Sequence, residues 1–319
     1  AASDIYPPQI ASAARELKSV GIMDRCIELP TTVDEGVRAF AGLGFTPQAH
    51  SSRGDAMAGR LARPSEAPGA EPAVAFRDVH VQYRSVKGAP HTVFDGLDLA
   101  IQPGEKVALV GSNGAGKTTL MKLMCGLIKP ASGEVRLGGV ATRAMSPEDI
   151  SGAISLVYQN PEQMFIKDTV RADVEFGRLM SGGQMRRASL AIGIALNPPI
   201  LLLDEPTANL DIATRREIVR TIADLRGVTD TVVIATHDMQ LVCQFADRVI
   251  VLNQGEVIGD GTPEEIFHNE AVVEASGICP PEIYAMGAAL DARATCFDIE
   301  DFLMCFDGYR ELALAAIGE

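Results

Sequence analysis

The sequence has no run of lysines or arginines, and its 42 acidic residues outnumber the 28 basic ones, for a net charge of −14. A surface built to neutralise phosphodiester charge needs the opposite balance, so no nucleic acid is expected as main partner. Long apolar runs are missing too. PPILLLDEP and TVVIAT fall far short of the ~20 residues a membrane helix requires, and no leader-like segment opens the residues given, so any membrane contact is expected to be peripheral. The six cysteines (Cys26, Cys125, Cys243, Cys279, Cys296, Cys305) lack paired spacings. That argues against a zinc site or a disulfide framework and suits a reducing cytoplasm; each reads as a small core residue or a bystander.

What the 319 residues do contain is organised in blocks. The length allows one large domain with appendages or two ordinary domains. Residues 51–72, SSRGDAMAGRLARPSEAPGAEP, are rich in Ala, Gly, Pro, Arg and Ser and have no apolar period, as expected of a linker. Downstream, β-branched runs (VAFRDVHVQY, LDLAI, KVALVG) are separated by Gly and Pro, and from Gly111 apolar runs alternate with amphipathic stretches. The expected fold is α/β, a small antiparallel β section followed by a parallel α/β core.

The chain also repeats itself. ASDIYPPQI (2–10) and ASGICPPEI (275–283) agree at six of nine positions with an offset of 273, and Leu17 and Leu290 keep that offset on one helical face. A second stretch, TVDEGVRAF (32–40), aligns with IEDFLMCF (299–306) after a gap of seven, Val33 with Ile299 and Phe40 with Phe306. Both copies are expected to be short helical appendages.

GSNGAGKTTL follows the strand KVALV and precedes a helical stretch, which is the context the G-x-x-x-x-G-K-[ST] motif requires. Glycines let the loop Gly111, Ser112, Asn113, Gly114, Ala115, Gly116 turn its amides inward around phosphates, and the next helix offers its positive end. Lys117 is expected to reach the β- and γ-phosphates and Thr118, followed by Thr119, to ligate Mg²⁺. PILLLDEPTANLD ends a buried strand on two carboxylates. Asp204 fits the Mg²⁺ shell and Glu205 a base that polarises the attacking water, although such a pair could also cap a helix. His237 ends TVVIATHD and could bond a γ-phosphate or the attacking water, whereas a solitary histidine is more often structural. Gln159, in LVYQNPEQMF, could sense Mg²⁺ with its amide.

MSGGQ, closing on Ser181, Gly182, Gly183 and Gln184, narrows the choice. With the loop, the Asp204–Glu205 pair, NLD ending at Asp211, and His237, the stretch 73–268 resembles the ATPase domain of ATP-binding cassette (ABC) proteins. The resemblance implies a P-loop NTPase fold of ABC type with ATP and Mg²⁺ as ligands. Tyr83 would stack on adenine, the alternative being a strand aromatic packed in the β section. It also implies a second ABC cassette docked head to tail, each loop facing the other's Ser181–Gln184 motif, with Asp211 coupling the sites. Residues 157–177 are similar to a segment of the ATPase subunits of energy-coupling factor importers of vitamins and transition metals. So is the C-terminal region, which in that group helps the ATPases pair.

By that resemblance the protein is expected at the cytoplasmic face of the cell membrane. A transmembrane coupling subunit, met by Glu162 and Gln163, and a substrate-binding membrane subunit would be its partners. Alternatives are a soluble ABC ATPase acting on ribosomes or DNA, and a cassette that binds ATP without turnover. The expected division is 1–50, the tail of a preceding cassette in a tandem polypeptide; 51–72, linker; 73–268, ATPase domain; 269–319, helical appendage. One departure stands out: Gln159 and Ser181 are too close for the family's multi-helix lobe, which reads as truncated, with residues missing between about Gly177 and Leu179.

Overall fold

The computed structural model describes residues 8–47, 71–83, 90–164, 181–195, 197–225 and 229–317. The expected linker (bar residues 71–72) and the remnant of the lobe, 165–180, lie outside the described residues. The chain forms two units, one of residues 63–278 and one that joins 1–62 to 279–319.

In the larger unit, β1 (Val74–Tyr83) pairs antiparallel with β2 (His91–Ile101) on one side and with β4 (Ser132–Leu137) on the other, and β5 (Val140–Ala141) closes the sheet. The second sheet has the order β10-β9-β3-β8-β7-β6, from β3 (Lys106–Val110), β6 (Ile154–Val157), β7 (Ile200–Asp204), β8 (Thr231–Ala235), β9 (Arg248–Asn253) and β10 (Glu256–Gly261). All its pairings are parallel except the edge hairpin β9–β10. KVALV, ILLLD and TVVIA are buried at all five positions, because a parallel sheet covered on both faces accepts continuous apolar runs.

Alternation inside those runs divides two cores. Leu109, Leu202 and Val233 face α3 (Lys117–Met124), whose Leu120, Met121 and Met124 join them. Leu201, Leu203, Val232 and Ile234 face the other way, toward Ile218 and Ile222 of α6 (Ile212–Asp224) and Phe245 of α7 (Met239–Phe245). Between α3 and α6 in chain order come α4 (Pro147–Ala153) and α5 (Gly182–Ala195). The carboxyl ends of β3, β8, β7 and β6 therefore lie side by side, the edge at which open α/β sheets bind ligands.

The domain limit differs from the expected residue 268. Helices α8 (Pro263–His268) and α9 (Glu270–Ser276) belong to the sheet unit, since Ile266 and Val272 close over Gly259 of β10. The unit ends at Ile278.

The smaller unit holds α1 (Gln9–Ser19), α2 (Val33–Phe40), α10 (Glu282–Leu290), α11 (Ile299–Met304) and α12 (Tyr309–Ile317). Its two halves repeat in detail. Thr32 caps α2 by accepting from the Glu35 amide while the Glu35 side chain accepts from Thr31; Asp298, Asp301 and Phe297 make the same bonds at α11. The halves share one core of Ile10, Leu17 and Phe40 with Ile283, Met286 and Phe302. A short antiparallel bridge between Phe45 and Phe306 joins them, with Thr46 N donating to Cys305 O at 2.7 Å.

Candidate functional site

The strands that end at the carboxyl edge of the sheet and the turns that follow them bring polar groups together there. The turn after β3 runs into α3 through three glycines with positive φ, each with its own reason. A Cβ on Gly111 would lie 2.0 Å from Leu252 O, and one on Gly116 would lie 2.8 Å from the Phe94 ring. Gly114, at φ 84°, has nothing within 4 Å of a notional Cβ and faces open space. Such a loop admits close backbone approach by a ligand. Ala115 points into the core, and Ser112 offers its carbonyl to Lys117, so these two contribute backbone rather than side chains.

Lys117 is 8% exposed, and its Nζ donates to Gly111 O at 2.7 Å and lies 3.2 Å from His237 Nε2. Burial lowers its pKa, while Glu205 and Asp204 oppose that shift. Thr118 Oγ1 donates to Asp204 Oδ2 at 3.1 Å, so a helix start and a strand end meet through a hydroxyl and a carboxylate. Burial raises the Asp204 pKa, against the Thr118 bond and the Lys117 charge.

Glu205 follows at φ 45°, a left-handed conformation that costs a non-glycine residue energy and turns the side chain back over the sheet edge. Its Oε1 is buried and accepts no hydrogen bond; His237 Nε2 lies 3.3 Å away, outside bonding geometry. Burial, first among the causes, raises its pKa as well. His237 is half exposed, sits 3.0 Å from Asn113 Oδ1, and is shifted down by burial and by Lys117, which keeps the imidazole neutral near pH 7.

These groups line one cleft of about 730 Å³, together with Gly116, Thr119 and Gln159. Tyr83 stands at its mouth, 42% exposed rather than packed in the β section, with its hydroxyl 3.4 Å from Thr119 Oγ1. The donor set suits a hard cation shared with a phosphate chain. Among the described residues no cluster of three or more His, Cys, Asp or Glu could hold a metal unaided, and Mg²⁺ is held by one or two side-chain oxygens plus substrate phosphates and water.

Ser181, Gly183, Gln184 and Asp211 stand apart from the cleft, and Gly182 borders a neighbouring cavity beside Thr118 and Asp204. Ser181 is exposed at the start of α5. Its amide donates to Gln184 Oε1 at 2.8 Å and its Oγ accepts the Gln184 amide, which leaves the hydroxyl proton to point outward. A Cβ on Gly183 would sit 2.6 Å from Thr214, and Thr214 is itself held by Asp211 at the cap of α6. The motif helix and the Asp211 turn thus meet at Gly183 and Thr214.

Two arginines escaped the sequence reading. Arg186, 2% exposed on α5, donates to Tyr158 O and Gln159 O at 2.8 and 2.5 Å. Arg215, one turn after Asp211, grips Asp238 through two bonds of 2.8 and 2.6 Å, beside His237. Long-range arginine contacts leave no local pattern; the helical spacing of Arg215 from Asp211 was the one available signal.

The family model for ABC transporters matches residues 94–175 and 162–208, two pieces that overlap within the short Gln159–Ser181 interval. The energy-coupling factor transporter ATP-binding protein EcfA of Methanothermobacter thermautotrophicus is 32% identical, over 75% of this chain and 86% of its own length. EcfA1 of Listeria monocytogenes is 35% identical, over 67% and 88%. Among solved structures, CbiO1 from Clostridium perfringens, part of the ABC transporter complex cbiONQ, superposes with a TM-score of 0.51 at 27% identity, over 64% of this chain and 94% of that one. The ATP-binding cassette MJ0796, as a dimer bound to ADP and phosphate, gives a TM-score of 0.50 at 25% identity, over 60% and 98%.

Proposed function

Because this chain belongs to the ABC transporter family, as an ATP-hydrolysing subunit similar to those of energy-coupling factor transporters, we propose that it powers uptake of a vitamin or a transition metal from the cytoplasmic face of the membrane. The observation that carries this reading is the meeting of Lys117, Thr118, Asp204, Glu205 and His237 in one cleft at the end of four parallel strands. Mg²⁺, when bound with the nucleotide, neutralises charge on the phosphate oxygens. Thr118, Asp204 and Gln159 would hold it. The loop amides and Lys117 bind the β- and γ-phosphates, and Tyr83 supports the base. Glu205, its pKa raised by burial, orients and deprotonates the attacking water, while the neutral His237 bonds the γ-phosphate edge.

A second cassette completes the site. The Ser181 hydroxyl and the amides of Gly182 and Gly183 of this chain donate to the γ-phosphate held by the other cassette, and the other's matching motif closes over the nucleotide held here, so nucleotide binding joins the pair and hydrolysis loosens it. Asp211, through Thr214 and Gly183, couples the two sites. A transmembrane coupling subunit follows this motion at the surface near Glu162, and a separate membrane subunit selects the cargo. Residues 1–50 are the appendage of a preceding cassette in the same polypeptide; the pairing of the two repeats in one helical unit supports this.

Purified protein is expected to hydrolyse ATP only with Mg²⁺, and Lys117→Ala to weaken ATP binding by about 10–100-fold, the worth of charge-assisted phosphate contacts. Unaltered ATP affinity in that variant would overturn the phosphate assignment. For the transport role, co-expression with candidate membrane subunits should yield a detergent-stable complex whose ATPase rate responds to cargo; sedimentation with ribosomes instead would overturn it.

A further inference from the structure

The two repeats of the helical unit are equivalent in fold yet unequal in side chains, and we infer that the unit is an interface specified for unlike repeats: 8–47 pairs with 279–317, and two copies of either one are rejected. This inference rests on the packing of the helical unit alone and stands or falls independently of the nucleotide site.

Pairing is crossed, because α1 packs on α11 and α2 on α10, each first helix against the other repeat's second. Both first helices begin after a proline, Pro8 or Pro281, which has no side chain to cap the helix. Residues 9 and 282, equivalent by the offset of 273, cap one another's helices instead. Gln9 N donates to Glu282 Oε2 at 2.8 Å, and Ile283 N donates to Gln9 Oε1 at 3.2 Å. If two copies of 279–317 met in this geometry, each Glu282 could still accept from the other's helix-start amides, but two carboxylates of like charge would lie side by side where Gln9 and Glu282 bring only one.

Side-chain volume makes the same distinction. On α2, a Cβ at Gly36 would lie 2.5 Å from Met286 Sδ and 3.0 Å from Ile10 Cγ2, so a side chain at position 36 would have to push the Met286 side chain out of the place it fills. The equivalents of these two residues are Phe302 on α11 and Ala13 on α1, the large residue now on the second helix and the small one on the first. Phe302, Met286 and Ala13 are all fully buried. Like pairing of two C-terminal repeats would bring Met286 onto Phe302 in a filled core; like pairing of two N-terminal repeats would leave Ala13 over Gly36 and a hollow. Overpacking and voids both destabilise, so the unlike pair wins by difference. Phe45 adds a third asymmetry. Its ring sits 5.2 Å from Phe306 and 5.5 Å from Phe302, whereas the second repeat runs on into α12 beyond Phe306.

The test uses the whole chain without nucleotide and reads amide hydrogen exchange of residues 9–19 and 282–290, with the strands of the sheet unit as internal reference. Gly36→Leu should speed exchange in both helices by about tenfold or more, and adding Met286→Ala should restore most of it. Gln9→Glu should speed the helix-start amides about fivefold, and the exchanged pair Gln9→Glu with Glu282→Gln should recover protection. Single changes that leave exchange unaltered, or paired changes that fail to rescue, would overturn the inference.

Discussion

Replacing Glu205 by glutamine is expected to abolish turnover while raising stability. The side chain is 14% exposed, and its Oε1 is buried without a hydrogen-bond donor. An unmet buried acceptor costs ~1–3 kcal/mol, and a neutral amide of the same size relieves part of that, about 1 kcal/mol. For a unit of this size that is a rise in Tm of about 2–4 °C. The sign with pH follows from the raised pKa. Below the ordinary value of 4.5 the carboxyl is protonated in both folded and unfolded states and costs nothing; the penalty develops as pH rises through the folded pKa. The gain from Glu205→Gln should therefore be larger at pH 8 than at pH 5. Removing the base should lower kcat by ~10²–10⁴ while ATP affinity stays the same or tightens. Calorimetry at several pH values and a coupled ATPase assay measure the two halves. A lower Tm, a gain indifferent to pH, or an unchanged kcat would refute the reasoning.

Gly183→Ala forces a methyl to within 2.6 Å of Thr214 and should destabilise by ~1–3 kcal/mol; it should also weaken ATP-driven pairing of cassettes, read by light scattering, more than ATP binding to the single chain. Arg215→Ala leaves the Asp238 carboxylate, 6% exposed, without its partner. Because Arg215 itself is 42% exposed, the stability cost is discounted to ~1 kcal/mol. The larger effect should fall on kcat, through the displaced His237 turn, with KM for ATP within about twofold of the parent; an equal rise in KM would show that Arg215 acts on binding instead.

The residues that gather in the cleft were legible because each ends a continuous apolar strand, and four such strands in one parallel sheet must deliver their ends to the same edge. The loop from Gly111 to Thr118 was legible because glycine spacing and strand–helix context come together. What the sequence hid is relational. The antiparallel hairpin that seats α8 and α9 on the sheet moved the domain limit to Ile278, since a helix names its own apolar face but not the surface that covers it. The repeat was visible as a repeat; that its copies cross and cap each other depends on contacts 273 residues apart, and only Gly36, an isolated glycine within an amphipathic helix, hinted at a close neighbour.

The crossed repeats also set a schedule for biosynthesis. The first copy leaves the ribosome with Ile10, Leu17 and Phe40 ready to bury, yet its mate follows only after residues 48–278 are made, roughly 12–46 s later at ~5–20 residues per second. Through that wait an oily helical face must be sheltered by a chaperone or tolerated in the open, so the window of aggregation risk for this unit opens with α1 and α2 and shuts with α10 and α11.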